Sequence, residues 1–219
     1  MATISKENYL KAIYSIAKKN GNRVSASILA KELNVSNAAI SEMANRLDSQ
    51  GFVDYKKYKG IKILPKGKKI AINVLRKHRL WELFLIKTLG LNWGEVHSEA
   101  EKLEHSTTDF LIDKIDEFLN FPKSDPHGAP IPNKDGNFRI ESLDIPMSGC
   151  RQNTKYKISR VEDRNPEIIK YLSKINISLN KEISIVDKLD FDGSVIINVD
   201  NVNHSLSEKL VNHIFISEV

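Results

Sequence analysis

The sequence has few of the features that mark secreted, membrane-bound or disulfide-rich proteins. Its 219 residues include a single cysteine, Cys150, so an intramolecular disulfide framework is excluded. No stretch approaches the roughly 18 apolar residues of a membrane span, and the first residues lack the apolar core of a signal peptide. These absences predict a cytoplasmic protein that does not enter a membrane. The lone thiol, between Gly149 and Arg151, is expected to be an incidental loop residue and not a catalytic one.

Acidic residues are missing from one long stretch of the chain. The net charge is only +5, and the composition is that of a globular protein, with 41% hydrophobic and 28% charged residues. Between positions 56 and 79, however, there is no Asp or Glu. Such a block is typical of a surface that binds a polyanion, but composition alone predicts a merely solvated surface equally well. The ten basic residues of the block are Lys56, Lys57, Lys59, Lys62, Lys66, Lys68, Lys69, Arg76, Lys77 and Arg79.

The first 64 residues have the pattern of a winged helix-turn-helix. A first helix is predicted over about 6–19 from its apolar spacing, and Ser25 and Ser36 each cap a shorter helix. Two β-prone runs, 52–55 and 61–64, flank a turn and predict a hairpin. The residues expected in the core are Tyr9, Ile13 and Ile16 of the first helix, Ile28, Leu29 and Leu33 of the second, and Ile40, Met43 and Leu47 of the third.

This order of elements predicts a surface that contacts double-stranded DNA. In a winged helix-turn-helix the third helix enters the major groove, and the hairpin lies beside the flanking phosphates. The basic block thereby acquires a geometric purpose, which favours nucleic-acid binding over a solvated surface. The predicted contact residues are Ser36, Asn37, Ala38, Ala39, Ser41 and Glu42 on the third helix, and Lys56, Lys57 and Lys59 on the hairpin.

The remaining sequence predicts a helical segment, a linker and a β-rich segment. Helices are expected over about 65–89, 93–105 and 107–119, and their broad apolar sides favour burial in a homodimer. Residues 121–147 are rich in Pro and Gly and predict a linker, in which His127 is expected to be only a loop residue. Beyond it, one helix over about 166–174 and short strand-like runs predict a small closed barrel. The runs lie at 156–161, 182–186, 194–199 and 213–216.

Histidines and glutamates recur on two consecutive predicted helices. His78 and Glu82 are four residues apart and share one helix face. Imidazole and carboxylate are ligands that borderline divalent metals accept. A single such pair is common on a solvated helix, but the repetition favours a metal site, with a polar solvated face as the alternative. The second group, within about 100° of arc on its helix, is His97, Glu101, Glu104 and His105.

Three segments resemble the diphtheria toxin repressor family of metal-dependent regulators, and the resemblance covers nearly the whole chain. It implies a mainly α fold with a C-terminal small β-barrel: a winged helix-turn-helix (1–64), a helical metal-binding and dimerisation domain (65–120), a Pro-rich linker (121–147) and an SH3-like, FeoA-like barrel (148–219). The segments that carry it are Arg76-Lys77-His78-Arg79-Leu80-Trp81-Glu82, Val96-His97 through Glu104-His105, and Gly128-Ala129-Pro130-Ile131-Pro132.

The resemblance also implies two metal positions per subunit, filled by Mn(II) or Fe(II). His78, Glu82 and His97 match the ancillary site of the family, whereas Glu101, Glu104 and His105 match its primary regulatory site. In the manganese-sensing branch the same groups can hold a closely spaced pair of ions, so the partition stays open. The family further implies a ligand from the first helix, here Asn8, and one from the barrel, where Glu167 is the first candidate and Asp163 the second.

Three positions depart from one or the other branch of the family. Glu101 stands where the iron-sensing type has a cysteine, and a carboxylate in place of a thiolate favours Mn(II). Asn8 stands where the iron type has Met and the manganese type has Asp, and Lys11 where some manganese sensors have Glu. These departures leave the choice between Mn(II) and Fe(II) open.

Together these patterns predict a non-enzymatic transcriptional repressor that binds palindromic operator DNA as a homodimer. The hypothesis is that metal joins the first helix to the second domain and so fixes the two DNA readers at the spacing of two half-sites. A metal-independent winged-helix regulator is one alternative. A carboxylate/histidine metalloenzyme is another, but it leaves the winged helix and the basic hairpin unexplained.

Overall fold

The computed structural model describes residues 6–21, 23–139, 144–162 and 166–219. The chain divides into two compact units. The first comprises Met1–Lys77, Glu104–Thr107 and Pro132–Asn137, and the second comprises His78–Leu103, Thr108–Ile131 and Phe138–Val219.

The first unit contains three helices, a hairpin and the beginning of a long helix. These elements are α1 (Lys6–Asn20), α2 (Ala26–Leu33), α3 (Asn37–Ser49), β1 (Val53–Lys56), β2 (Gly60–Ile63) and α4 (Pro65–Leu89), of which residues up to Lys77 belong to this unit. The order is that of a winged helix-turn-helix, and the helix bounds lie within a residue or two of the predicted ones.

Local side-chain chemistry explains where the second and third helices begin. The Ser25 hydroxyl accepts the N–H of Ile28 at 3.3 Å, and the Ser36 hydroxyl accepts the N–H of Ala39 at 3.1 Å. Each bond satisfies a backbone donor that has no partner within its helix. Asn34 ends α2 in the left-handed conformation, with φ 52°. The predicted caps are confirmed.

The core of this unit is built largely from the residues that the helical spacing predicts. Leu29, Ile40 and Leu47 are completely buried. Ile28, which we expected to be buried, is 45% exposed. It precedes Leu29 by one residue, or about 100° around α2, so it faces away from the buried side that Leu29 and Ala30 define.

The β1–β2 hairpin forms the wing. Val53 pairs with Ile63 and Lys56 with Gly60, and Val24 adds a single bridge to Ile61. Gly60 has φ +91°, and a Cβ there would lie 2.7 Å from the Val24 carbonyl oxygen, so the close approach of this strand requires glycine.

The second unit begins with the C-terminal part of α4, followed by α5 (Val96–Leu103) and α6 (Asp109–Phe118). The sequence predicted a longer α5, over 93–105. A turn occupies positions 93–95 instead, and a second turn at 104–106 follows the helix. Glu104 and His105 therefore lie beyond the last helical residue, where the backbone no longer follows the helical period.

A six-stranded antiparallel sheet dominates the rest of the unit. Its order is β3-β8-β4-β5-β6-β7, and the register shifts between Ile158 and Arg160 and between Ile185 and Asp187. Such irregularities increase the twist of a sheet. The strands are β3 (Ile145–Pro146), β4 (Lys155–Val161), β5 (Glu182–Lys188), β6 (Val195–Val199), β7 (Val202–Leu206) and β8 (Ile214–Glu218); the helices are α7 (Pro166–Lys174) and α8 (Glu208–Val211).

The strand β7 was not predicted from the sequence. This strand is at the edge of the sheet, and most of its residues are exposed, so it lacks an apolar run. Asp200 and Asn201 join it to β6 with φ values of 50° and 66°. Two successive residues with positive φ are typical of the turn that closes a two-residue hairpin.

The Pro-rich segment is irregular, as expected, but its centre is buried. One carboxylate oxygen of Asp125 accepts the N–H groups of His127 at 2.8 Å and Ala129 at 2.9 Å. Arg79 of α4 donates to the Pro130 carbonyl, and Asp125 and His127 are 4% and 1% exposed. Composition predicted a linker here; the packing shows an ordered, internally bonded turn.

Cys150 lies in the core of the sheet and not on an exposed loop. It is buried after a short 3-10 turn, Met147–Gly149, and packs with the apolar residues of the strands. Burial raises the pKa of the Cys150 thiol, and the nearby charge of Lys188 opposes this rise more weakly. The thiol is therefore neutral at pH 7, consistent with a structural residue.

Among the described residues, none of the helices combines the length and the apolar character needed to cross a membrane.

Gly128 offers a test of the buried turn. It has φ +87°, and a Cβ there would lie 2.1 Å from the Ser159 carbonyl oxygen of β4. We expect Gly128→Ala to lower the free energy of unfolding by more than about 2 kcal/mol, because the change adds both backbone strain and a clash. Urea denaturation measures the change. The control is Gly149→Ala, where a Cβ meets nothing within 4 Å; equal losses in the two variants would contradict this account of the turn.

Candidate metal centre and DNA-facing surface

Three candidate ligands meet between α4 and α5. The Glu82 Oε1 atom lies 3.0 Å from His78 Nε2 and 3.2 Å from His97 Nδ1, and the two ring nitrogens are 3.1 Å apart. Glu82 is completely buried and His78 is 3% exposed, whereas the His97 side chain is 26% exposed. We call these three residues the His78 cluster. All three were predicted as metal ligands.

The spacing of the His78 cluster fits a bound metal ion. Donor atoms about 2.1 Å from one ion and at right angles to one another lie about 3.0 Å apart, whereas tetrahedral angles separate them by about 3.4 Å. The three observed separations of 3.0–3.2 Å correspond to one face of an octahedron. Imidazole and carboxylate are also the donor types that Mn(II), Fe(II) and related ions accept.

Hydrogen bonds do not satisfy all three contacts of this triangle while the Glu82 carboxylate is ionised. If His78 Nε2 and His97 Nδ1 are both protonated, their two N–H groups face each other and repel. If either nitrogen is unprotonated, its lone pair faces the Glu82 carboxylate and is repelled by it. While Glu82 is ionised, one of the three contacts is therefore repulsive in either state, and a cation held by all three atoms removes the conflict.

Glu101 lies beside the His78 cluster. Its Oε2 atom lies 3.5 Å from Nδ1 of His78, the ring nitrogen that does not contact Glu82. A carboxylate in this position fixes the tautomer and orientation of a ligating imidazole. The structure thus places Glu101, a predicted ligand of the second position, next to the predicted ligands of the first.

Glu104 and His105 each contact α1. Glu104 is completely buried, and Lys11 Nζ donates to its two oxygens at 2.9 and 2.7 Å. The Nδ1 atom of His105 lies 2.6 Å from a carboxylate oxygen of Glu7. Asn8, the ligand that the family resemblance implies from this helix, lies on α1 and is half-buried. Its role as a ligand stays a prediction.

The structure does not gather the predicted barrel ligand at the His78 cluster. Glu167 lies in the first turn of α7, is exposed, and accepts a hydrogen bond from Lys170 at 3.1 Å. Asp163, the second candidate, lies outside the described residues. No group of three candidate ligands found among the described residues includes Glu167.

His127 is predicted to be only a loop residue, but the structure places it beside Glu82 of the His78 cluster. Its Nε2 atom lies 3.9 Å from Glu82 Oε1, and its ring stacks on Trp93 with centroids 5.3 Å apart. Its carbonyl oxygen accepts the N–H of Val161 in β4 at 2.9 Å. The sequence signal that points to it is the Asp125-Pro126-His127-Gly128 turn, in which an aspartate and a glycine fix the backbone around one histidine.

The predicted DNA-contacting residues lie on the surface of α3 and the wing. Ser36, Asn37, Ala38 and Glu42 are exposed, whereas Ala39 and Ser41 are half-buried. Lys56, Lys57 and Lys59 are exposed on either side of Tyr58, which is itself 93% exposed at the tip. Their role in DNA binding remains a prediction.

The basic block divides into two sets with different roles. Its last three members belong to the packing around α4: Arg76 is 3% exposed, Lys77 donates to the Thr107 carbonyl at 2.6 Å, and Arg79 contacts the Pro-rich turn. Reading the whole block as one polyanion-binding surface was therefore wrong. The exposed members are Lys56, Lys57, Lys59, Lys62, Lys66, Lys68 and Lys69.

Three family models match consecutive parts of the chain. Residues 1–61 match the N-terminal DNA binding domain of iron dependent repressors, and residues 64–133 match their metal binding and dimerisation domain. Residues 145–218 match the FeoA domain.

Relatives of known name agree with this arrangement. The diphtheria toxin repressor of Corynebacterium glutamicum is 27% identical over 91% of this chain and 93% of its own length. The HTH-type transcriptional regulator MntR of Oceanobacillus iheyensis is 35% identical over 57% of this chain and 84% of its own length. A solved manganese-dependent transcriptional repressor in complex with manganese is 32% identical, covers 98% of this chain and all of its own (100%), and superposes with a TM-score of 0.91.

The domains and the fold are those of a metal-dependent transcriptional regulator. The chain belongs to the diphtheria toxin repressor family, which confirms both the resemblance and the predicted fold class.

Glu82 provides a direct test of the metal centre. We expect Glu82→Gln to weaken Mn(II) or Co(II) binding at the His78 cluster by about tenfold or more, because the amide removes the negative charge and one strong donor. Isothermal titration calorimetry measures the affinity. The control is Glu99→Gln on the same helix as His97, since Glu99 is paired with Lys102 at the surface. Equal affinities in both variants would exclude Glu82 as a ligand.

Proposed function

We propose that this protein is a transcriptional repressor of manganese or iron homeostasis genes that binds operator DNA when Mn(II) or Fe(II) fills its metal centre. The observation that carries the proposal is the His78 cluster, three predicted ligands at the mutual spacing of one ion. Because such a regulator acts where the DNA is, we propose a cytoplasmic location.

Two metal positions per subunit are proposed. His78, Glu82 and His97 would hold one ion, with His127 as a further candidate for that site. Glu104 and His105 would hold the other, to which the family resemblance also assigns Glu101. A bound divalent ion supplies positive charge and fixed coordination geometry. A carboxylate at position 101 suits Mn(II) better than a thiolate does, which supports manganese over iron as the cognate metal.

Operator binding is proposed to involve a homodimer and a palindromic site. Several large apolar side chains of the helical segment are exposed in the single chain, which supports their burial against a second copy. A two-fold dimer presents two copies of α3, so its operator requires two half-sites. The exposed apolar residues are Leu89 (60%), Phe110 (74%), Leu111 (45%) and Phe118 (67%).

Metal-stimulated DNA binding is the decisive measurement. We expect Mn(II) to tighten operator binding by roughly 5- to 150-fold over chelator, the range of ordinary allosteric coupling. Fluorescence anisotropy of a labelled promoter fragment at constant ionic strength measures the change, and His78→Ala with Glu82→Ala should abolish it. Tight binding that chelator leaves unchanged would replace this proposal by a metal-independent winged-helix regulator.

The wing predicts a specific salt dependence. Lys57→Ala should weaken binding to all DNA sequences and reduce the slope of log K against log salt concentration by about one, because one phosphate contact is lost. The control is Lys155→Ala, an exposed lysine of β4. An unchanged slope in Lys57→Ala would remove this residue from the DNA interface.

A further inference from the structure

A lysine of α1, Lys11, contacts Glu104 in the turn that follows α5. Lys11 Nζ contacts both carboxylate oxygens of Glu104, at 2.9 and 2.7 Å. The Glu104 side chain is 0% exposed and that of Lys11 is 16% exposed. The two residues are 93 positions apart in sequence, so tertiary folding alone creates the pair.

Because Glu104 is completely buried, its carboxylate depends strongly on the positive charge of Lys11. A carboxylate withdrawn from water is costly unless a positive charge or several donors compensate it. Lys11 supplies that charge through a short, charge-assisted hydrogen bond to each oxygen. A divalent ion that uses Glu104 as a ligand approaches the same two oxygens, so it competes with the ammonium group of Lys11 and is repelled by its charge.

A second contact reinforces the first. Glu7 lies four residues before Lys11, on the same side of α1, and its carboxylate is 2.6 Å from Nδ1 of His105. When this nitrogen carries the proton, it donates to Glu7. That bond would leave Nε2 as the lone-pair nitrogen for a metal, as is usual when a carboxylate orients a ligating histidine.

We propose that Lys11 is a built-in cation that occupies the place of a divalent ion at Glu104 and holds α1 against the Glu104–His105 turn before metal arrives. The proposal rests on the proposed function, and deepens it, since it concerns the second of the two metal positions. Lys11 thereby sets the metal concentration at which this site fills, and the attachment of α1 does not itself depend on metal.

The test compares two lysines that contact glutamates at the same distance. Lys11→Met keeps the length of the side chain and removes its charge. Lys102→Met does the same to an exposed pair, in which Lys102 Nζ lies 2.7 Å from Glu99. Calorimetric titration of the full chain with Mn(II) should show roughly 5- to 150-fold tighter binding at the second site in Lys11→Met, and no change in Lys102→Met.

Hydrogen exchange gives a readout that is independent of metal affinity. In the metal-free wild-type chain, α1 should be protected, and added Mn(II) should change its exchange little. In metal-free Lys11→Met, α1 should exchange faster, and Mn(II) should restore its protection. Rapid exchange of α1 in the metal-free wild type would overturn the proposal without any variant, so the test survives even if Lys11→Met folds poorly.

A double variant separates the effect of the Lys11 charge from the effect of its side-chain packing. In Glu104→Gln the charge that Lys11 neutralises is absent, so adding Lys11→Met should leave the hydrogen exchange of α1 unaltered. If Mn(II) binds wild type and Lys11→Met equally, the built-in cation is excluded while the proposed function stands. If the wild type and Lys11→Met both bind no Mn(II), the proposed function and this inference fail together.

Discussion

Two completely buried carboxylates, those of Glu82 and Glu104, set the constraint on which the candidate metal centre depends. Negative charge in such surroundings requires a compensating cation or a full set of donors. Beside Glu82 lie the imidazole nitrogens of His78 and His97, at the spacing of one ion. At Glu104 the compensating cation is Lys11, and Nε2 of His105 lies 3.2 Å from the same carboxylate. The two buried carboxylates therefore differ in their surroundings. Glu82 faces nitrogen atoms suited to share an exchangeable ion with it, whereas Glu104 faces a cation that is part of the protein chain.

Local patterns explain how much of the protein could be predicted. The Ser25 and Ser36 caps and the shared face of His78 and Glu82 depend on neighbours three or four residues away, which the sequence displays directly. The pairing of Lys11 with Glu104 joins residues 93 positions apart, and no local period encodes it. His127 was overlooked for a related reason, since its burial follows from the packing of the turn and not from its composition.

The basic block shows why charge patterns need a fold before they can be interpreted. Its lysines up to Lys69 are exposed, but Arg76 is buried and Arg79 donates to the Pro130 carbonyl. A guanidinium or ammonium group on the interior side of a long helix satisfies carbonyl oxygens that an irregular segment cannot satisfy by itself. One uninterrupted run of positive charge thus serves two purposes, and the helix face on which each residue falls decides which.

The hydrogen bond from Val161 to the His127 carbonyl has a consequence for how the domains evolve and can be separated. Through this bond the backbone of β4 supports the turn that presents His127 to Glu82, while Trp93 both stacks on that histidine and packs against the core of the sheet. A chain that ended before β4 would expose the indole and remove the donor. Removing the sheet from this protein would therefore take away the backbone support of the turn that holds His127 beside Glu82.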